Sequence, residues 1–283
     1  MFELRFWGVR GSIPTPGPHA LAVGGNTTCL SLQSDDYLFV FDAGTGIRRL
    51  GAYLEASRRT AWRGGIFFSH YHWDHIQGLP FFMPARRAGN QFSLYGETKK
   101  GIGLEEILRQ QMAHPYFPVA MDEAKALAGF EALTPGQAME PFPGSTLRTI
   151  RLNHPGDALG YRLETVDGSL CVITDHEHPA DGLDERIVEF ARGASVLVHD
   201  GQYTPREKSG PKAGWGHSSW KEAAMTAKAA GVQILFISHH DPDRSDSDLL
   251  HILRQAREIF PATEVATEST VCELPECATT MVN

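Results

Sequence analysis

Four side chains able to bind a divalent metal fall within six residues, at His70, His72, Asp74 and His75, in the pattern H-x-H-x-D-H. Imidazole nitrogen mixed with carboxylate oxygen suits zinc, and also manganese or iron. The apolar run just before it, residues 65–69 (Gly-Ile-Phe-Phe-Ser), reads as a buried strand, so the cluster begins where a strand ends. Alternate residues of extended chain share a face, which lets His70 and His72 point the same way. Asp74 and His75 need a turn to face a second centre. Two ligands per metal are too few, and the others must come from elsewhere in the chain.

Further strand ends offer them. Residues 147–153 run into His154, residues 170–174 end at Asp175, and residues 233–238 end at His239 and His240. Ligands at strand ends are held rigidly, as a two-metal site requires. A carboxylate can bridge two cations roughly 3.5–4 Å apart. Asp175 and Asp200 both end strands, and spacing leaves the choice between them open. Asp42, after the apolar run 37–41, is expected to accept the outer N–H of a ligand imidazole.

The elements that must carry these residues are legible in part. Strands are expected at 3–7, 147–152, 160–165, 170–174, 195–198 and 232–237, with a hairpin from 27–32 and 37–41. Helices are expected at 47–56, 104–112, 183–192 and 246–259. Another begins at Ser219, where Ser-Trp-Lys-Glu is a capping-box pattern, and ends at Gly231. Strands come first as a meander and then alternate with helices, which predicts an α+β chain of sheets packed on each other with helices outside. One domain is expected over 1–283. Prolines at 80, 84, 115, 118, 135, 141 and 143 break the stretch 77–143. Within it, 85–143 is expected to contribute a cap over the site.

Net charge is −8, from 34 acidic and 26 basic residues, which argues against a broad electrostatic nucleic-acid surface. No apolar run is long enough to span a bilayer, and the first residues lack signal-peptide character. The four cysteines, Cys29, Cys171, Cys272 and Cys277, are therefore expected to be reduced and the protein cytoplasmic.

These pieces together resemble the metallo-β-lactamase superfamily, in its branch of RNase Z and related phosphodiesterases. Residues 70–75 match the superfamily signature, and Asp42-Ala43-Gly44-Thr45-Gly46 matches its early Asp-Gly-x-Gly element. His154, Asp175 and His239 fall where later ligand motifs fall. Val198-His199-Asp200-Gly201-Gln202 resembles a His-Glu-Ala-Thr element, with Asp200 one methylene shorter than the family's Glu. Gly216-His217-Ser218-Ser219 resembles a His-Ser-Thr element.

The resemblance implies an αββα sandwich, two mixed β-sheets flanked by helices, around two divalent ions, zinc foremost. It gives one metal His70, His72 and His154, the other Asp74, His75 and His239, and makes Asp175 the bridge. The implied reaction is attack of a metal-bridging hydroxide on a small phosphodiester, a cyclic nucleotide being the leading candidate. Asp74, His217 and Asp200 are the implied catalytic residues, with His217 the acid and Asp200 orienting it. His240 and His178 are expected beside the site or substrate. Trp73, Tyr203 and Trp215 are candidates to stack on a base. A small substrate, no membrane and a homodimer are the expected partners. The chain shows no long basic arm of the kind RNase Z uses on tRNA. The competing readings are a tRNA 3′-processing endonuclease and a hydrolase of a lactone, thioester or lactam.

Overall fold

Alternation of side chains along strands leaves one apolar face per strand, and two sheets bury those faces against each other. The computed structural model describes residues 1–57, 59 and 61–274. The first sheet holds β1 (Phe2–Gly8), β2 (Cys29–Gln33), β3 (Leu38–Phe41), β4 (Arg63–Phe67), β5 (Gln91–Glu97), β6 (Leu127–Leu133) and, against β1, the last strand β14 (Val271–Leu274). The second holds β7 (Ala138–Met139), β8 (Thr146–Leu152), β9 (Ala158–Thr165), β10 (Gly168–Ile173), β11 (Val196–Asp200), β12 (Ile234–Ser238) and β13 (Thr263–Val265). Both sheets are mixed. β3 to β6 pair in parallel, as do β10 to β13, and the other neighbours are antiparallel.

Aromatic side chains fill the gap between the sheets. Phe41 and Phe67 of the first sheet lie 5.6 and 5.9 Å, centroid to centroid, from Tyr161 of the second. Phe6 meets Phe236 at 5.2 Å. Burying each such ring stabilises the fold by about 1.5–3 kcal/mol.

The helices among the described residues are α1 (Ile47–Ala56), α2 (Trp73–Ile76), α3 (Leu104–Gln111), α4 (Glu185–Ala191), α5 (Pro205–Lys208), α6 (Trp220–Ala230) and α7 (Asp246–Ile259). α1 buries Ile47, Leu50, Gly51 and Leu54, one helical stripe, in a core shared with Val40, Ile66 and Leu94 of the first sheet. α6 opens on the capping box of Ser219 and Glu222 and closes on Gly231 in the left-handed region, φ 64°. α7 opens on a second box, Ser245 with Asp248. No helix among the described residues is long and apolar enough to cross a membrane.

The segment 85–143 supplies β5 and β6 to the first sheet and β7 to the second, and α3 buries Leu104 and Leu108 in the same core as α1. One expectation needs correction. Cys29 and Cys171 are free and buried, but Cys272 is disulfide-bonded, against the expectation that all are reduced. Cys277 lies outside the described residues.

Candidate metal centre

Strands of both sheets, the antiparallel β8 among them, deliver their C-terminal ends to one place. β4 leads through Phe68 and Ser69 to His70, and α2 then turns Asp74 and His75 back toward the same point. β8 leads to His154, β10 to Asp175 and β12 to His239. Ser12, Asp42, Asp175 and His239 all have positive φ (65°, 60°, 29° and 57°), four of only six such non-glycine residues among those described. The backbone is thus strained where these side chains must bend back over the strand ends, a cost tolerated at functional sites.

Two groups of donors converge. In the first, His72 Nδ1 lies 2.9 Å from His70 Nε2 and 3.0 Å from His154 Nε2, and Asp175 Oδ2 is 3.6 Å from both His70 and His154. In the second, His239 Nε2 lies 3.2 Å from Asp74 Oδ2, 3.2 Å from Asp175 Oδ1 and 3.3 Å from His75 Nε2. His75 Nε2 is 3.4 Å from each of those carboxylates. A regular tetrahedron of edge ~3.3 Å has its corners about 2.0 Å from its centre, the ligand distance of zinc. The donor set therefore fits two divalent cations, one per group, with Asp175 offering one oxygen to each.

The outer nitrogens of these rings are held. His75 Nδ1 donates to Asp42 Oδ2 at 2.8 Å, and Asp42 also accepts from the Ser69 N–H and hydroxyl, each at 2.8 Å. His154 Nδ1 donates to the Gly216 carbonyl at 2.9 Å. His239 Nδ1 meets Gln202 Oε1 at 3.3 Å, and His70 Nδ1 meets the Ser69 hydroxyl at 3.0 Å. Such partners fix ring orientation and tautomer. The Ser12 N–H donates to Asp74 Oδ2 at 2.7 Å. Gly11 and Gly216 leave room for the imidazoles: a Cβ at either would lie 2.4 or 2.3 Å from the ring of His239 or His154.

Electrostatics follow from this crowding. Burial, then the neighbouring His75, holds the His70 imidazole well below its ordinary value. Burial also disfavours charge on His239, but Asp175, Asp74 and Asp200 outweigh it and push that group up to about 9. Burial resists ionisation of Asp175, yet His239, His75 and His70 hold its carboxyl well below the usual range. The site is built of ionised carboxylates pressed against imidazoles, an arrangement that cations would neutralise.

His217 sits over both groups. Its ring lies 5.0 Å from that of His154 and 5.0 Å from that of His239, and its Nδ1 is 3.0 Å from Asp200 Oδ2. Asp200 is buried and also accepts backbone N–H bonds from His176, Gln202 and Ser218. These bonds pin the carboxylate, and the carboxylate pins the imidazole.

Other sequence candidates fall elsewhere. His178 is not in the site: it accepts from the Asp184 N–H at 3.0 Å, meets Thr226 Oγ1 at 3.1 Å, and stacks on His199 behind Asp200. The His240 ring hydrogen-bonds the Ala266 carbonyl at 2.9 Å, and only its backbone serves the site, bracing the loop of Gly11 and Ser12. Tyr203 is buried edge-on to His217, whereas Trp73 and Trp215 are exposed. Ser12, Ser69, Gln202 and Glu177 were not singled out by sequence. Ser69 ends the apolar run before His70 and Gln202 ends the 198–202 element, so their signal is position beside a candidate site residue rather than residue type.

The Beta-lactamase superfamily domain model matches residues 37–262, most of the chain and every candidate ligand. The chain belongs to the metallo-β-lactamase-fold superfamily. It is 26% identical over 315 aligned positions to Ribonuclease BN of Escherichia coli, covering 95% of this chain and 99% of that one. Among solved structures it resembles the metallo-β-lactamase fold protein YhfI from Bacillus subtilis, with TM-score 0.71, 18% identity, and 96% and 100% of the two chains covered. It also resembles human tRNase Z, short form, with TM-score 0.65, 19% identity, and 96% and 99% covered. Members of this superfamily are hydrolases, including nucleases and phosphodiesterases.

Proposed function

We propose that this metallo-β-lactamase-fold chain is a dinuclear metal-dependent phosphodiesterase acting on a small diester, with a cyclic nucleotide the leading substrate. The observation carrying this reading is the His217–Asp200 pair set over both donor groups. Hydrolysis of a thioester expels a thiolate that leaves without a proton, whereas an alkyl phosphodiester expels an alkoxide that needs one. His70, His72 and His154 would hold one cation and Asp74, His75 and His239 the other, with Asp175 between them. Zinc, manganese or iron bound there would acidify water to near neutrality and neutralise phosphate charge.

The chain's own residues do the rest. Asp200 takes the Nδ1 proton of His217 as a hydrogen bond and so leaves Nε2 for the substrate. In the imidazolium form Nε2–H donates first to a phosphate oxygen and then, as the bond breaks, gives its proton to the leaving oxygen. The buried Asp200 carboxylate fixes the ring's orientation, as the third member of a catalytic triad does. Asp42, Ser69, Gln202 and the Gly216 carbonyl hold the other imidazoles in register.

The experiment exploits the leaving group. His217→Ala should slow hydrolysis of a cyclic nucleotide about 10²–10⁴-fold, the usual worth of a general acid. Bis(p-nitrophenyl) phosphate, whose phenolate leaves unprotonated, should suffer far less, and metal content should not change. Equal losses on both substrates would reduce His217 to a phosphate contact.

The second reading is tRNA 3′ processing. It is favoured by the similarity to Ribonuclease BN across nearly the whole of both chains. A net charge of −8 weighs against a large RNA, because phosphate binding draws on clustered Lys and Arg. A precursor tRNA assayed beside the cyclic nucleotides decides between them.

A further inference from the structure

The loop that carries His217 is braced more firmly than a surface loop needs, and it presents a tryptophan to solvent. Glu177 spreads its carboxylate across the loop: Oε1 accepts from the Gly214 N–H at 2.8 Å and Oε2 from the Gly216 N–H at 2.7 Å. Trp215 lies between those two residues, and its own N–H donates to the Lys212 carbonyl at 3.3 Å. Gly214 and Gly216 have φ of 81° and 90°, conformations that other residues adopt only with strain. The Gly216 carbonyl is meanwhile tied to His154. Beneath the loop, the Lys212 ammonium sits 4.6 Å over the Tyr203 ring, whose edge meets His217. For all this bracing, Trp215 is 59% exposed. A large apolar ring held in water by a fixed backbone is a preorganised contact surface.

Its place indicates what it contacts. A general acid must come within about 2.6–3.2 Å of the oxygen it protonates. The leaving alcohol of a diester therefore lies at His217, and whatever that alcohol carries extends over the adjoining loop. We propose that Trp215, presented by the Glu177 fork, is the stacking platform for the nucleobase borne by the sugar whose oxygen leaves, and so selects nucleotide diesters over simple alkyl ones. This inference rests on the phosphodiesterase reading above. A planar base offers a π-face to the indole whatever its identity, so the selection is for a nucleobase as a class.

The test compares two ligands that share phosphate and sugar and differ in the base. Adenosine 5′-monophosphate and ribose 5-phosphate are titrated into the zinc- or manganese-loaded protein by calorimetry. The wild-type protein should bind the nucleotide roughly 5- to 150-fold more tightly, the range for one base stacked on an aromatic ring. Trp215→Ala should erase that preference while leaving ribose 5-phosphate affinity unchanged, and Trp215→Phe should keep part of it. Glu177→Ala, with Trp215 present but unpinned, should lower it. A preference that survives Trp215→Ala, or is absent from the wild type, overturns the proposal, and full preference in Glu177→Ala overturns the part given to the fork. Bis(p-nitrophenyl) phosphate cleavage is measured on the same preparations. Cleavage without base preference sinks Trp215 alone, whereas no cleavage by loaded wild-type protein sinks the reading beneath it.

Discussion

Asp42→Asn tests whether the second donor group is a metal centre, without touching any ligand. Both Ser69 Oγ and His75 Nδ1 donate to Asp42 Oδ2, while the Ser69 N–H donates to Oδ1, each at 2.8 Å. Asparagine keeps the shape but converts one of those acceptors into an NH₂ donor. If the amide oxygen stays with His75, the NH₂ group faces the Ser69 N–H, donor against donor. If it turns, the NH₂ group meets His75 Nδ1, and the ring must move its proton to Nε2, the nitrogen facing Asp74, Asp175 and His239. Asp42 is 2% exposed, so water cannot rescue either arrangement. Losing one hydrogen bond to a buried charged acceptor costs about 1.5–3 kcal/mol. If that cost falls on the bound state it weakens a cation by roughly 10- to 100-fold. Competition against a chelator of known affinity should show one of two cations released earlier in Asp42→Asn, with the other little changed. Two release steps identical to wild type would refute the assignment of His75 as a ligand.

Three further outcomes follow from the same geometry. Asp175→Ala should lose both cations and activity, because its two oxygens face separate donor groups, whereas Asp200→Ala should keep near two cations by elemental analysis and lose activity; the reverse pattern would exchange their roles. Gly216→Ala and Gly214→Ala both place a side chain at positive φ, at a cost of about 1–2 kcal/mol. Only at Gly216 does the Cβ strike His154, so thermal stability should fall in both variants but cation affinity only in Gly216→Ala. The buried His178 has a depressed pKa, first through burial and then through His199 and His176, and Nδ1 accepts the Asp184 N–H. Protons therefore bind the unfolded chain first, and the stability His178 contributes is present above about pH 6.5 and lost as pH falls below it. For one group this amounts to about 2 kcal/mol between pH 7 and pH 5. Urea midpoints of chelator-treated protein should drop over that interval, and less so in His178→Gln; an equal drop in both would remove His178 as the cause.

What the sequence disclosed divides by the kind of signal. Helices α1 and α7 were legible to the residue because an amphipathic stripe and, in α7, a capping serine are local features. The H-x-H-x-D-H run was legible because its ligands are packed into one turn after one strand. β5 and β6 were hidden for a physical reason. β6 lies at the edge of its sheet with most side chains half-buried or exposed, so no apolar period marks it, and the surrounding prolines read as breaks. β14 pairs with β1 from the opposite end of the described chain, and nothing in four residues announces so distant a partner. His176 and His178 flank Glu177 in an irregular stretch where no periodicity says which side chain turns inward. There the fold buries both histidines and gives the carboxylate to the His217 loop.

The scattering of the remaining ligands also has a structural cause. Each sheet is the same arrangement of seven strands: three antiparallel contacts, β14-β1-β2-β3 or β7-β8-β9-β10, followed by three parallel ones. Equivalent strand ends then do comparable work. β3 ends at Asp42 and β10 leads to Asp175, both carboxylates with positive φ aimed at the site. β1 leads to the Gly11–Ser12 loop that grips Asp74, and β8 leads to His154. β4 delivers the histidine cluster, and β11 delivers Asp200, which holds the general-acid candidate. The first sheet places most of the donors in one contiguous run. The second places one donor or one brace per strand end, separated by a strand pair between His154 and Asp175 and by helices thereafter. Chain distance separates the second set, so only the meeting of equivalent strand ends reveals it. The consequence is mechanical: the cations would bridge the two sheets across the core, so binding them should stabilise the packing of both halves at once. Thermal unfolding should therefore rise in a single transition as cations are added, and two separated transitions in the loaded protein would contradict that coupling.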